Sequence, residues 1–581
     1  MDEIVKIPTK AQMTEHNGLL EKIHHDLEKL VEEGVSPTDH AQYDAIFQAM
    51  LDGSNTTTIF EAWYPRAVAA MTTEENRFDL LERWFAMLAH AGQHTTYTLR
   101  YYVDEVSGDS TMTPMDDLAN LPGPAQLCTE ETTPVVDWAD ESPLLWYVRA
   151  NALSKADGTM NVLAVENQDA IFDISGELAP VYTFQVSLWK REWDDGTHNY
   201  KSWKTVHAAE YYPYAESVDP AGARRVMTWH PTFGGGLNSL NGLTSGAGLA
   251  PYNFASANTG LSAARRTSAY EGLWNDCDTQ FALDMWQLRH WNLENSGILE
   301  GCTNYNYQHV VALGEEQTKR ILLTPAQAAN FIVGSSIQLG THPEGTTTTD
   351  RSNAANHDIF NAKRIAAIET VTIDGTEYGT LEIESEEPFD VPATAFVSTA
   401  PWFSGNTELL PGHKDGCTIS LTSGKTPIRV AGIELLDGAY AIGLDPLYNV
   451  TANEEDGFDY ALYECRNSEN LAGSITANYV DTGIRGTGIA AGWNYIKSFT
   501  RTRLGIVWPK AFGGASSTYF KSALSGSSGA GVRAPWRFGG LNGTGFAGLA
   551  CAGVNHTPTA ASWYGRPRLS GAGKKRGEWV A

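Results

Sequence analysis

Apolar residues recur at two different periods along the chain. Leu20, Ile23, Leu27 and Leu30, within residues 8–33, are spaced three, four and three. That is the seam of a coiled coil, and equally the buried stripe of a helix inside a small helical domain. Gly34 and Pro37 end the pattern. A second helical pattern covers 72–92 with Thr73 as its N-cap, and "HTTYTLRYYVDEV" then alternates like a strand. Together these elements predict a mixed module over 1–110, suited to attachment and oligomerisation.

Residues 111–138 are rich in Pro, Asp and Thr and read as a linker. From 143 the pattern turns to strand. "LLWYVRANAL", "MNVLAVEN", "VYTFQVSLWKREW" and "WKTVHAAEYY" are short β-branched and aromatic runs separated by turn residues. They predict an antiparallel β-rich domain over 111–222. From Val226 the sequence is glycine-rich and irregular, with isolated large side chains such as Trp229, Phe233, Tyr252 and Phe254. Inside it, "DTQFALDMWQLRHWNLENSG" places Phe281, Met285, Leu288 and Trp291 at helical spacing, with Gly297 as the stop. A short helix is predicted after Pro325. "TVTIDGTEYGTLEI" predicts a hairpin turning at its Asp-Gly pair. Further strands are predicted in "PIRVAGIELLDGAYAI", "DYALYECRN" and "LGIVWPKAF". The expected class is α+β, in three parts: 1–110, 111–222 and 223–581.

The chain has 581 residues, 42% of them hydrophobic, with 17 Trp and 24 Tyr. That suffices for several buried cores and argues against global disorder. No run of about 18 apolar residues occurs, so membrane insertion by a helix is not expected. The N-terminus "MDEIVKIPTK" lacks the apolar centre of a signal peptide. Cys128, Cys277, Cys302, Cys417, Cys465 and Cys551 form no C-x-x-C pair, and the expectation is buried thiols. The net charge is −28, unevenly spread. From Arg501 onward eleven basic residues face one acid, Glu578, so this end carries +10 and the first 500 residues −38. An acidic body repels nucleic acid, which is not expected as a partner. The basic end has two readings: contact with an anionic surface, or pairing with acids of the body.

Catalytic motifs are absent. There is no H-E-x-x-H; "TSGKT" lacks the first glycine of a phosphate loop; "GSSGAG" does not fit a nucleophile elbow. "NEEDGFDY" lacks calcium-loop spacing. His230, set among aromatics, is expected to be a hydrogen-bonded structural histidine. No catalytic residue, metal or cofactor is assigned.

One stretch stands out: "RFGGLNGTGFAGLACAGVNHTPTAASWYGRPRLS", residues 537–570. Small residues let backbones approach closely, and the isolated aromatic and polar side chains between them are good contact makers. Its blocks "GGLNG", "AGL" and "GRPR" resemble the C-terminal ends of variable proteins of diversity-generating retroelements. The upstream segments "WPKAFGGASSTYF" and "MTWHP" resemble phage structural proteins with such ends, similar to phage tropism determinants. The resemblance implies a C-type-lectin fold in 223–581. It implies a frame of Gly539, Gly540, Gly543, Ala547, Gly548, Leu549 and Gly565. It implies ligand-binding display positions at Arg537, Leu541, Asn542, Thr544, Ala552, Val554, Asn555, His556, Thr559, Ala561, Ser562, Trp563 and Tyr564. The implied role is receptor binding on a phage tail. The implied partners are a host cell-surface protein or glycan, other virion tail proteins, and two further copies of the chain in a homotrimer. Such a protein would be made in the host cytoplasm and reside in the virion. A structural virion fibre or head protein, and a glycan-degrading tail enzyme, are the alternatives.

Overall fold

The computed structural model describes residues 56–579, apart from 103–109, 135, 140, 141, 143, 342–353, 454–456 and 572–574. The chain divides into two compact units, 1–73 and 74–581. The expected seam Leu20–Leu30 lies outside the described residues. In the first unit the helix Thr56–Ala70 buries Ile59, Phe60, Trp63, Tyr64 and Ala67, a stripe at helical spacing.

The second unit is β-rich, with short helices among many strands. Strand pairing runs across both expected domain boundaries. Tyr97–Tyr102 pairs antiparallel with His198–Lys204, and Val181–Val186 with Met227–Pro231. A strand's free N–H and C=O edge takes whichever partner the core brings alongside, and sequence distance does not enter. The expected linker 111–138 is also drawn in. Thr113–Asp116 adds to Tyr97–Tyr102, and Met112, Leu118 and Cys128 are buried.

The helix expected over 72–92 runs Arg77–Ala91, and Asn76 replaces Thr73 as its cap. The Asn76 side chain accepts from the Phe78 amide while Asp79 accepts from the Asn76 amide. The helix predicted in 278–297 spans Asp276–His290, capped by Asn275, and it ends at a left-handed Trp291, before the expected Gly297. It is buried on nearly every side, so its apolar spacing marks no single face. The predicted hairpin is Phe360–Ile373 with Thr376–Ile383. Asp374 and Gly375 both take positive φ, the turn that suits strand twist. His230 is structural as expected: it is fully buried, hydrogen-bonded through Nδ1 to Asp278 at 2.9 Å and stacked on Phe281. All six cysteines are free and buried.

The sheet that positions the C-terminal stretch has nine strands. Its order is Pro509–Phe512, Gly492–Phe499, Ala523–Gly526, Ala552–Gly553, Trp536–Arg537, Tyr440–Asp445, Gly272–Asn275 and Leu569–Ser570, with Gly565–Pro567 also on Tyr440–Asp445. Segments far apart in sequence therefore meet in one layer. No helix among the described residues is long and apolar enough to cross a membrane.

Candidate ligand-display surface

Residues 537–570 pass through the sheet as short strands joined by two long connections. Trp536–Arg537 runs antiparallel to Ala552–Gly553, and the first connection, 538–551, joins them. Gly565–Pro567 runs parallel to Tyr440–Asp445, which is antiparallel to Trp536–Arg537. Ala552–Gly553 and Gly565–Pro567 therefore point the same way. The second connection, 554–564, must cross back over the sheet to join them. It crosses the face that carries Trp536. The imidazole of His556 stacks on that indole at 3.8 Å, and Tyr564 meets it edge-on at 6.0 Å.

The first connection is held from beneath. Glu294 is fully buried, and its carboxylate accepts from the amides of Leu549 at 2.8 Å and Ala550 at 2.7 Å. It also accepts from the Ser522 hydroxyl and the Asn295 amide. Burial pushes this carboxyl up to about 7 against the pull of those amides. A Cβ on Gly548 would meet the same carboxylate at 3.0 Å, and Gly548 sits at φ +154. The "AGL" block is thus small because a buried acid reads its backbone.

All seven frame positions, Gly539, Gly540, Gly543, Ala547, Gly548, Leu549 and Gly565, are buried. The display positions divide. Asn542, Thr544, Asn555, Thr559 and Ala561 are exposed, and His556 and Tyr564 are half-buried. Arg537, Leu541, Ala552, Val554, Ser562 and Trp563 are buried and are corrected here to structural residues. Ala552 lies in a strand, while Leu541 and Trp563 pack into a core with Cys302, Tyr305 and Trp402. Arg537 ion-pairs with Asp276 and donates to the Val507 carbonyl.

For several arginines of the basic end the second of its two readings, pairing with acids of the body, holds. Arg566 pairs with Asp437, and Arg576 with Asp445 and Glu464. Arg568 donates to the carbonyls of Glu434 and Pro231 and lies over Trp274. Arg533, Arg537, Arg566, Arg568 and Arg576 are all buried. Five of the eleven basic residues of this end are thus spent inside the protein, while Arg501, Arg503 and Lys510 stay exposed.

Which accessible residues come together follows from contacts. Asn542 and Tyr564 both flank Gly540, where a Cβ would lie 3.0 Å from the Cβ of Tyr564 and 3.2 Å from Oδ1 of Asn542. Tyr564 and His556 border Trp536. Thr559 and Ala561 sit beside the start of the helix Ala257–Thr267, because the Asn258 amide donates to the Pro558 carbonyl. Sequence reasoning missed Trp493 and Tyr495, which lie on a neighbouring strand. The half-buried Phe546 stacks parallel on Trp493 at 4.8 Å and tilts against Tyr495 at 5.4 Å. Trp493 is 38% exposed, unusual for an indole. The alternation of "GWNYIKSF" was the available signal, but nothing in the sequence pairs it with Phe546.

The surface is therefore an aromatic platform rimmed by short polar side chains. It suits hydrogen-bonded, partly apolar contact with a ligand. Comparison with known protein families and with curated proteins finds no match to this chain.

Proposed function

We propose that this chain is a receptor-binding protein of a phage tail, whose C-terminal region has a C-type-lectin fold and presents a diversifiable surface to a host bacterial surface ligand. The observation that carries the reading is the division within 537–570. Every frame residue is buried, while seven positions between them stay accessible on a backbone fixed by Glu294 and by the sheet. Side chains at the five exposed positions, Asn542, Thr544, Asn555, Thr559 and Ala561, can change without disturbing the packing, which is what a variable surface needs. Residues 1–222 would attach the chain to other tail proteins, and assembly as a homotrimer would raise avidity.

The test is a set of chimaeras in which Asn542, Thr544, Asn555, His556, Thr559, Ala561 and Tyr564 are replaced together, with the frame left intact. Folded chimaeras should lose binding to host cells. Retained binding would overturn the reading. DNA beside the gene supplies a second check: a near-copy of the 3′ end differing at adenines, next to a reverse-transcriptase gene, is expected.

A further inference from the structure

On the face of the nine-stranded sheet that carries Trp536, one row runs Trp493, Ser525, Gly553, Trp536, each directly opposite the next on neighbouring strands. Side chains in such a row point to the same side. Strands lie about 4.8 Å apart, so the two tryptophans stand roughly 14 Å apart at the backbone. Between them are only the hydroxymethyl group of Ser525 and the bare backbone of Gly553. His556 closes one end of the row by stacking on Trp536, and the Trp493–Phe546 pair closes the other.

Three features of this row are not accounted for by packing. Trp493 is 38% exposed although Phe546 covers one face of its indole, so the exposure lies on the other face and the rim. Ser525 is only 8% exposed, yet its hydroxyl makes no hydrogen bond among the described residues. Buried polar groups are normally partnered. Gly553 has no positive φ, and a Cβ there would meet Asn555 at 3.4 Å and His556 and Trp536 at 3.5 Å, which is ordinary contact. A strand glycine that neither the backbone nor crowding demands marks a place where something approaches the sheet closely.

The polar groups around the row are of one kind. The side chains of Asn555, Tyr495 and Ser516 make no hydrogen bond among the described residues, and each can both donate and accept. Ser516 and Tyr495 reach the Trp493–Phe546 pair beside Gly545, where a Cβ would lie 2.9 Å from the Cβ of Ser516 and 3.7 Å from Oη of Tyr495. The His556 imidazole, pushed down to about 4 by burial, is neutral at pH 7 and offers one donor and one acceptor. An aromatic face open to C–H groups, ringed by groups that both give and take hydrogen bonds, matches the two kinds of surface on a pyranose. An added peptide strand would need a free sheet edge, and Ala523–Gly526, Ala552–Gly553 and Trp536–Arg537 are each paired on both sides.

We infer that this row is a saccharide subsite, in which one pyranose unit lays a C–H face on Trp493 and hydrogen-bonds Ser525 between the two aromatic stacks. The inference rests on the reading of 537–570 as a ligand surface and names the class of its ligand. Trp493, Tyr495, Ser516 and Ser525 all lie outside 537–570. Substitutions at the display positions therefore change which saccharide is preferred and leave the pyranose contact in place.

The test screens the full chain on an array of gluco-, galacto-, manno- and N-acetylhexosamine-configured oligosaccharides and measures the strongest by calorimetry. At least one should bind. Trp493→Ala should weaken it at least ten-fold and Trp493→Phe by less. Ser525→Ala should weaken it at least three-fold with an unchanged thermal midpoint, because the hydroxyl it removes has no partner in the fold. On host cells, periodate oxidation of vicinal diols should abolish binding and proteinase digestion should spare it. The inference is overturned if no sugar on the array binds the wild-type chain, or if Trp493→Ala and Ser525→Ala both bind as the wild type does. It is also overturned if proteinase abolishes cell binding and periodate spares it. Cell binding without sugar binding overturns this inference alone. Sugar binding without cell binding overturns the phage-tail reading and leaves the subsite standing.

Discussion

The indole of Trp493 and the ring of Phe546 lie face to face, 4.8 Å apart and within 4° of parallel, although 53 residues separate them. One comes from a sheet strand and the other from the first long connection. Trp493 is 38% exposed, so this stack props an aromatic surface open to solvent. Trp493→Ala is expected to reduce host-cell binding at least ten-fold. Stability should also fall, by roughly 1–3 kcal/mol, because more than half of the residue's area is buried. Cell-binding titration beside chemical denaturation checks both halves. A large stability loss with unchanged binding would make the stack a packing feature only.

Glu294 fixes the same connection from inside. Removing the carboxylate in Glu294→Ala leaves the Ala550 and Asn295 amides buried without an acceptor, while the Leu549 amide keeps Oδ1 of Asn295. The expected cost is about 2–5 kcal/mol, the penalty for two buried unsatisfied donors. Glu294→Gln keeps one acceptor oxygen but turns an NH₂ toward amide donors, so it should fall between Ala and wild type. Hydrogen exchange at the Ala550 and Asn295 amides should accelerate in the Ala variant before global unfolding does. Unchanged exchange would remove Glu294 from its place as the clamp.

Local pattern reached as far as local physics reaches. The Asp374-Gly375 turn, the helix over 276–290 and the small-residue frame of 537–570 were readable because each depends on neighbours in sequence. What the pattern missed depends on partners far away. Arg537 looked like a surface cation, but Asp276, 261 residues earlier, draws it inside. Trp563 looked like a display aromatic, but Trp402 and Tyr305 enclose it. Composition could not separate an exposed Asn542 from a buried Leu541 one residue before it, nor foresee that Trp493 would join the surface.

Arg537 itself gives a sharp test. Arg537→Ala strands Asp276 as an unpaired buried carboxylate, and breaking such a pair costs about 3–5 kcal/mol. Arg537→Ala is therefore expected to lower stability strongly, and any lost ligand binding should return at low temperature once the protein is folded. Loss of binding in a fully stable variant would restore Arg537 to the ligand surface.

Burial, reinforced by the positive charge of Arg533, pushes the His556 imidazole down to about 4. Its ordinary value is 6.5, so the unfolded chain binds the proton first. Stability from this group is complete above about pH 6.5 and falls as pH drops toward 4, by at most about 3 kcal/mol. His556→Phe keeps a ring on Trp536 and removes the proton. Its stability should lose the wild type's decline over that window. An unchanged acid decline in His556→Phe would place the titrating group elsewhere.

Glu216 tilts stability the other way. It is buried, and neither carboxylate oxygen reaches a hydrogen-bond partner. Burial pushes it up to about 8; its own backbone amide and Arg576 oppose this, while Asp278 and Asp284 reinforce it. The folded chain therefore holds a proton that the unfolded chain has already released, from about pH 4.5 to pH 8. Stability from this group is highest below 4.5 and declines as pH rises to 8, by a total on the order of 4 kcal/mol. Between pH 4.5 and 6.5 the His556 slope opposes those of Glu216 and of Glu294, whose carboxyl burial also pushes up to about 7. Between 6.5 and 8 only the two carboxyls of the three groups still titrate, and the wild type should lose stability with rising pH. Glu216→Gln removes the charge at similar volume. Denaturant midpoints for Glu216→Gln should fall less than the wild type's from pH 6.5 to 8, the remaining fall being that of Glu294, and exceed the wild type's at pH 8. In the acid window they should show more of the His556 decline, with Glu294 alone opposing it. A Glu216→Gln profile parallel to the wild type's would mean that the carboxyl finds a partner, such as a bound cation or ordered water, and titrates normally.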